Sequence, residues 1–188
     1  YAPLNEIALQ NILYTAQLGL NHPIAIRYPR GRGVITDWQK NYFKNYATIE
    51  IGKATCLKEG NQTAVLSTGT IGNNVINALK NNGNPNTIAH YDFPFIKPLD
   101  NKLLHSIFEK FTNVITIEDG AITGGFGTAI LEFSALHNYS PKITTLGIPD
   151  AFIEHGTVTE LQQLYNIDVK SLEILFSLDI KSFSDSRI

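Results

Sequence analysis

Cysteine and methionine are nearly absent from this sequence, which has one cysteine and no methionine in 188 residues. Because Cys56 is alone, the chain cannot form an intrachain disulfide or a zinc site built from several thiolates. A lone cysteine beside a strand pattern is typical of a small core side chain rather than of a nucleophile. The chain opens at Tyr1 and has no methionine, so we expect it to be part of a longer polypeptide.

The sequence also lacks an excess of charge and any long apolar run. Its 15 lysines and arginines nearly balance 17 aspartates and glutamates, and no basic block indicates a nucleic-acid partner. No apolar run approaches the ~20 residues that span a bilayer, and the first residues do not resemble a signal peptide. We therefore expect a cytoplasmic protein without nucleic-acid or membrane partners, whose 43% hydrophobic residues suffice for a core.

From residue 47 onward, strand patterns alternate with helical patterns. The predicted strands are 47–56, 63–68, 86–92, 113–118 and 142–147, and the predicted helices are 71–83, 99–111, 127–138 and 157–165. This alternation predicts a three-layer α/β fold, in which an open, mostly parallel sheet of about five strands has helices on both faces. Glu50 and Lys53 make the first strand amphipathic, so we expect it at an edge, where an antiparallel strand can be accommodated.

Residues before 47 do not follow this alternation. An apolar stripe after Asn5 predicts a capped helix, and the alternation at 23–28 predicts a short strand. The segment that follows is polar with Trp38, Tyr42 and Phe43 as aromatic anchors, which is typical of a linker. One helix and one strand cannot enclose a core, so this part must pack on something else.

Unusual residues follow each predicted parallel strand. Because ligands of open α/β sheets lie beyond the carboxyl ends of the strands, these segments predict the functional edge. They are Ser67-Thr68-Gly69-Thr70, Asp92-Phe93-Pro94-Phe95, Glu118-Asp119-Gly120 and Gly147-Ile148-Pro149-Asp150.

The segment from Glu118 to Thr128 contains four glycines between a strand pattern and a helix pattern. It matches neither the dinucleotide fingerprint nor a phosphate-binding P-loop. We favour subunit packing over a nucleotide phosphate for this loop, because no second strand ends in a suitable acidic residue and Phe126 would crowd a pyrophosphate. Glu118 and Asp119 are candidates for an acid/base pair, but capping of the loop's backbone amides, or contact with a partner subunit, is the favoured interpretation.

Two motifs give the sequence a family resemblance. They are Arg27-Tyr28-Pro29-Arg30-Gly31 and the segment from Gly147 to Thr157, Gly-Ile-Pro-Asp-Ala-Phe-Ile-Glu-His-Gly-Thr. With the other strand-end segments in this order, the chain from about residue 5 to 175 resembles the C-terminal end of the 1-deoxy-D-xylulose-5-phosphate synthase family. These are thiamine-diphosphate enzymes of the transketolase superfamily.

The resemblance implies a division of the chain into three parts. Residues 1–34 would be the remnant of a pyrimidine-binding domain, 35–46 a linker, and 47–188 a transketolase C-terminal domain. It also implies that the full-length enzyme condenses pyruvate with glyceraldehyde 3-phosphate to form 1-deoxy-D-xylulose 5-phosphate, a precursor of isoprenoids and thiamine. Homodimers, and contacts with the remaining domains of the same enzyme, are implied in the same way.

The cofactors implied by the resemblance are thiamine diphosphate and magnesium. The family's Gly-Asp-Gly motif with its distant asparagine is absent from this sequence, as is the glutamate that activates the cofactor. We therefore expect no catalytic, cofactor-binding or metal-binding residues here, and we expect the isolated chain to be inactive.

Two arginines are the predicted substrate-binding residues. Arg27 matches the family arginine that contacts the aldehyde's phosphate, and a guanidinium offers paired donors to phosphate oxygens. Arg30 is a candidate to assist it, although a solvated loop arginine is the favoured interpretation. For His155 a proton-donating role stands beside a role in an interface or in loop ordering. The other histidines share no spacing that indicates a metal site.

Two further functions stay open at this point. The chain could end a 2-oxoacid dehydrogenase β subunit, whose C-terminal domain has the same architecture, or it could be an assembly module that catalyses nothing. The arginine-rich motif followed directly by a linker favours the synthase.

Overall fold

In a computed structural model that describes residues 1–31, 33–35, 45–82 and 86–178, five strands form one sheet in the order β1-β3-β2-β4-β5. The strands are β1 (Thr55–Lys58), β2 (Thr63–Thr68), β3 (Ile88–Asp92), β4 (Asn113–Ala121) and β5 (Lys142–Ile148). All neighbouring pairs are parallel except β1 with β3. The predicted open, mostly parallel sheet is therefore confirmed, and its antiparallel member lies at an edge as expected.

The first strand is shorter than the predicted 47–56. Two residues of the predicted strand, Ala47 and Ile49, bond to a helix near the chain's start rather than to a strand. The N–H of Ala47 donates to Asn11 Oδ1 at 3.1 Å, and the N–H of Ile49 donates to Thr15 Oγ1 at 2.9 Å. Because these backbone donors are used by side chains, they cannot extend the ladder of β1.

Helices cover both faces of the sheet and give it the predicted three layers. They are α1 (Glu6–Gln17), α2 (Gly72–Asn81), α3 (Asn101–Lys110), α4 (Phe126–Leu136), α5 (Val158–Leu164) and α6 (Val169–Ser177). One core cluster joins the sheet to α3 and α4, and the other joins it to α2 and α6. Val65 and Leu66, adjacent in β2, belong to different clusters because successive side chains of a strand point to opposite faces.

The strand predicted at 23–28 is not formed. The prediction of a helix and a strand before residue 47 is therefore correct for the helix only. Its helix, α1, begins at the predicted cap, where Asn5 Oδ1 accepts from the N–H of Ala8 at 3.0 Å. The segment 23–28 makes two backbone hydrogen bonds with Tyr1. The amino group of Tyr1 donates to Ala25 O at 2.7 Å, and the N–H of Arg27 donates to Tyr1 O at 2.8 Å. Alternation favours an extended chain, but a strand needs a longer neighbour with which to form a ladder.

The described ends of the predicted linker 35–46 are attached to α1. The N–H of Ile35 donates to Glu6 Oε1 at 3.1 Å, and the Tyr46 ring stacks on Tyr14 with centroids 5.1 Å apart. Trp38, Tyr42, Phe43 and the tail after 178 lie outside the described residues. Within the described ranges, no helix has the length and apolar character needed to cross a bilayer.

Candidate functional site

A cleft of about 240 Å³ opens at the carboxyl ends of β2 and β4. The N-terminal segment lines it with Ala2 and with Arg27-Tyr28-Pro29, and the sheet lines it with Thr68-Gly69-Thr70 and Asp119. This is the edge that the strand-end residues indicated, and the volume lies below the roughly 300 to 1,000 Å³ of most drug-sized ligand sites. The cleft therefore suits a small metabolite.

The Glu118 carboxylate organises the glycine-rich loop beside the cleft. It is 4% exposed at the end of β4, where its Oε2 accepts from the N–H of Phe126 at 2.9 Å and its Oε1 from that of Gly127 at 2.8 Å. These donors belong to the first turn of α4, whose partial positive charge favours a carboxylate. The capping interpretation of Glu118 is confirmed, and both carboxylate oxygens are occupied by it.

At two positions of this loop, neighbouring atoms of the same chain leave no room for a side chain, so glycine is required. A Cβ at Gly125 would overlap the Glu118 carboxylate and the carbonyl of Ala121, and one at Gly127 would lie 2.7 Å from Thr116 Oγ1. Phe126 is fully buried against Phe93, with ring centroids 5.7 Å apart. The expectation that Phe126 would crowd a pyrophosphate at this loop is therefore wrong, because its side chain belongs to the core.

Arg27 joins the N-terminal segment to the loop that follows β4. Its Nη1 donates to the carbonyl oxygen of Asp119 at 2.8 Å, which holds one corner of the guanidinium. Among the described residues no other acceptor contacts this side chain, which is exposed. An arginine carries five N–H donors, so several remain for a ligand in the cleft. Asp119 also lines the cleft and is partly exposed.

The other predicted site residues lie elsewhere. Arg30 is exposed and does not line the cleft, although it is three residues from Arg27. His155 is exposed in the segment between β5 and α5. Within the described ranges, no group of three or more His, Cys, Asp or Glu side chains is arranged to hold a metal ion. Cys56 is half-buried. Burial is the main cause that raises the pKa of its thiol, and the hydrogen bond to Glu59 is the second.

A buried polar row lies at the ends of β2 and β3, under the N-terminal segment. Ser67 Oγ and His90 Nε2 share a hydrogen bond of 2.8 Å, and burial lowers the pKa of His90 to about 4. Asp92 is 8% exposed, its Oδ1 has no partner among the described residues, and burial raises its pKa to about 7. The pKa of the Tyr1 phenol is raised, mainly by burial and to a smaller extent by the charge of Asp92. Burial thus disfavours the charged forms of both His90 and Asp92.

Sequence reasoning identified the edge of the sheet but not all members of the cleft. Thr68 and Thr70 stood in a strand-end segment without an assigned role, and Ala2 was not singled out at all. The only available signal for the threonines was their position after a buried parallel strand. Ala2 reaches the cleft because its N–H donates to the carbonyl of Pro94 at 2.7 Å, a contact between distant parts of the sequence.

An open α/β sheet with a small cleft at its carboxyl edge defines the class of this domain. Residues 52–172, more than half of the chain, match the family profile described as "Transketolase, C-terminal domain". The chain belongs to this family.

Longer relatives agree with that assignment, and one solved structure agrees with the fold. A 1-deoxy-D-xylulose-5-phosphate synthase of Parabacteroides distasonis is 46% identical over 172 residues, which cover 91% of this chain and 27% of the relative. The synthase of Bacteroides thetaiotaomicron is 47% identical over 173 residues, covering 91% of this chain and 26% of the relative. The chain thus spans about a quarter of the length of these relatives. The solved structure "Split gene transketolase, inactive beta4 tetramer" has a TM-score of 0.77 at 22% identity, covering 100% of this chain and 58% of its own, which supports the fold.

Replacing Glu118 tests its capping role. Glu118→Gln removes the charge and turns one acceptor into an amide donor facing a backbone N–H, so we expect a loss of about 1–3 kcal/mol in the free energy of unfolding. The measurement is urea unfolding followed by circular dichroism. Glu109→Gln, at an exposed position on α3, is the matched control and should change little. Equal effects of the two substitutions would contradict the capping role.

The buried carboxyl of Asp92 should make stability fall as the pH rises. Its folded pKa of about 7 lies above its ordinary value of 3.8, so the folded state holds a proton that the unfolded state releases. Stability decreases by about 1.4 kcal/mol for each pH unit in which only the folded state keeps this proton, and the loss accumulates between these two pKa values.

Asp92→Asn removes this titration. Relative to the wild type, the variant's free energy of unfolding should therefore increase steadily from about pH 4 to pH 7 and then level off. Urea unfolding at several pH values measures the difference, and Asp150→Asn, at an exposed position, is the control. A difference that is constant across this range would show that Asp92 does not titrate in this way.

Proposed function

We propose that this chain is the C-terminal part of a thiamine-diphosphate-dependent synthase that condenses pyruvate with glyceraldehyde 3-phosphate to form 1-deoxy-D-xylulose 5-phosphate. In this proposal residues 1–34 end a pyrimidine-binding domain, 35–46 link it to the next domain, and 47–188 form the transketolase C-terminal domain. The curated relatives carry the synthase name, which favours this activity over that of a 2-oxoacid dehydrogenase.

The observation that carries the proposal is the exposed guanidinium of Arg27 in the cleft at the carboxyl edge of the sheet. One N–H is bound by the carbonyl of Asp119, which orients the group, and the remaining donors are available to a phosphate. In this role Arg27 binds the phosphate end of glyceraldehyde 3-phosphate and so positions the aldehyde for reaction in the rest of the enzyme. Arg30 is proposed to contribute more weakly, because it is outside the cleft lining.

Thiamine diphosphate would supply the carbon nucleophile in the full-length enzyme. Magnesium bound to a diphosphate takes oxygen ligands, usually one or two carboxylates together with the phosphates. Asp119 is the one acidic residue in the described lining of the cleft, and Arg27 is bound to its carbonyl, which disfavours a second cation there. These residues do not fit the cofactor, so no chemical step through it is assigned to them. We propose that its ligands lie in the other domains and that the isolated chain is inactive.

We further propose a cytoplasmic homodimer as the working form of the enzyme. Support comes from apolar side chains that are exposed to water in and after the segment between β5 and α5. Phe152 is completely exposed, and Val158 and Leu164 are 61% and 63% exposed. Exposed apolar groups in one region indicate a surface that another subunit or domain covers.

Arg27→Ala in the intact enzyme should raise KM for glyceraldehyde 3-phosphate about 10- to 100-fold, since a hydrogen bond to a charged group contributes about 1.5–3 kcal/mol. The KM for pyruvate should change little. Steady-state kinetics with each substrate varied in turn measures the two effects. Equal increases for both substrates would argue against a phosphate-binding role.

Two further variants sharpen this test. Arg27→Lys keeps the charge but loses the paired donors, so an intermediate effect is expected. Arg30→Ala should have a smaller effect than Arg27→Ala and act on the same substrate. Lys80→Ala, in the last turn of α2 at the far end from the cleft, removes a cation without a proposed role and serves as the control.

Calorimetric titration of thiamine diphosphate and magnesium into the isolated chain should give no binding heat, because the cofactor's ligands are proposed to lie in other domains. The same titration into the intact enzyme is the positive control. Micromolar binding by the isolated chain would refute this division of roles.

A further inference from the structure

Two side chains of opposite charge meet beside Gly120. A Cβ at this residue would lie 3.3 Å from Arg27 Nη1 and 3.4 Å from Glu118 Oε2. Both charged groups therefore lie next to one point, which is open because residue 120 has no side chain. Across this space the guanidinium and the carboxylate attract each other, and the attraction is stronger near protein than in bulk water.

The Glu118 carboxylate is the fixed member of this pair. It is buried, and each of its oxygens accepts a backbone N–H of α4, at 2.9 and 2.8 Å. Arg27 is exposed, and its side chain makes one hydrogen bond among the described residues, from Nη1 to the carbonyl oxygen of Asp119. A long exposed side chain can adopt many rotamers, so its orientation here depends on the rigid groups that surround its end.

Gly147, the first residue of the second sequence motif, contacts the same segment from β5. A Cβ there would lie 3.0 Å from Glu118 Cγ, 3.0 Å from the carbonyl oxygen of Gly120 and 3.1 Å from that of Glu118. The two carbonyls belong to the residues on either side of Asp119, and backbone atoms cannot give way as the end of a flexible side chain can. Glycine at 147 therefore lets β5 pack directly on the peptide groups that flank the Asp119 carbonyl.

We propose that Glu118 and Gly147 are positioning residues for Arg27, which act through the carbonyl of Asp119. The inference rests on the proposed function, because it concerns the same phosphate-binding arginine. Glu118 fixes the strand end that carries this carbonyl and places a negative charge near the guanidinium, and Gly147 keeps the neighbouring carbonyls in place. A guanidinium that is already oriented binds a phosphate more tightly, because less side-chain entropy is lost on binding. The two sequence motifs thus meet at one contact.

Glu118→Gln in the intact enzyme should raise KM for glyceraldehyde 3-phosphate about three- to tenfold, which is less than the effect of Arg27→Ala. The KM for pyruvate and for unphosphorylated glyceraldehyde should not change. Gly147→Ala should act in the same way, because its Cβ displaces the carbonyls beside Asp119, and it replaces the first variant if that one does not fold. Ile107→Val, in the core under α3, lowers stability by a small cavity and is the control for a purely structural effect. It should change neither KM.

Combined substitutions test whether Glu118 acts through Arg27. In the Arg27→Ala enzyme the guanidinium is gone, so adding Glu118→Gln should not raise KM for the aldehyde further. A residue that shaped the cleft independently would instead multiply the two effects. A crystal structure of the intact Glu118→Gln enzyme gives a readout that does not depend on activity. In it, the distance from Arg27 Nη1 to the carbonyl oxygen of Asp119 should exceed hydrogen-bonding range.

The outcomes separate this inference from the proposed function. If Arg27→Ala raises KM selectively, but Glu118→Gln leaves KM and the hydrogen bond of Arg27 unchanged or multiplies the effect of Arg27→Ala, the positioning role is overturned and the proposed function stands. If Glu118→Gln breaks this hydrogen bond while Arg27→Ala raises KM equally for both substrates, the proposed function is overturned and the positioning of Arg27 stands. Selective effects that do not multiply, together with loss of the hydrogen bond, support both.

Discussion

A carboxylate buried where β4 leaves the sheet determines the arrangement of the site. Glu118 is accommodated there because two backbone N–H groups of α4 bind its oxygens. Without them an ionised side chain at this depth would be strongly unfavourable. Glu118 ties the end of β4 to the start of α4, and Asp119, the next residue, binds Arg27 through its carbonyl. The cleft therefore depends on a contact that itself touches no ligand.

The cleft lies between two parts of the chain that are distant in sequence. Arg27 contributes the guanidinium from the N-terminal segment, and the Thr68-Gly69-Thr70 turn contributes the opposite wall from the sheet. The N-terminal segment is held against the sheet by contacts such as that of the Ala2 N–H with the carbonyl of Pro94. The shape of the cleft therefore depends on the packing of the N-terminal segment against the sheet.

Hydrophobic patterning predicted strand positions reliably where a strand has neighbouring strands on both sides. The run Ala64-Val65-Leu66 predicted a central strand, and β2 is buried along its whole length. The same kind of pattern failed at 23–28, where the residues alternate but, among the described residues, form backbone hydrogen bonds with Tyr1 rather than with a strand. It also overextended β1, whose preceding N–H groups bind side chains of α1. Periodicity describes which face of a segment is apolar, but it does not supply the partner strand.

The sequence by itself determined the layered α/β architecture and the edge of the sheet where a ligand would lie, because these follow from local periodicity. Arg27 became a candidate through the family resemblance of the motif that contains it. The tertiary structure alone decided which backbone amides Glu118 binds, that Arg30 lies outside the cleft, and that the Thr68 hydroxyl is buried without a partner among the described residues. Burial and hydrogen bonding depend on residues far away in the chain, and no local pattern records which of them meet.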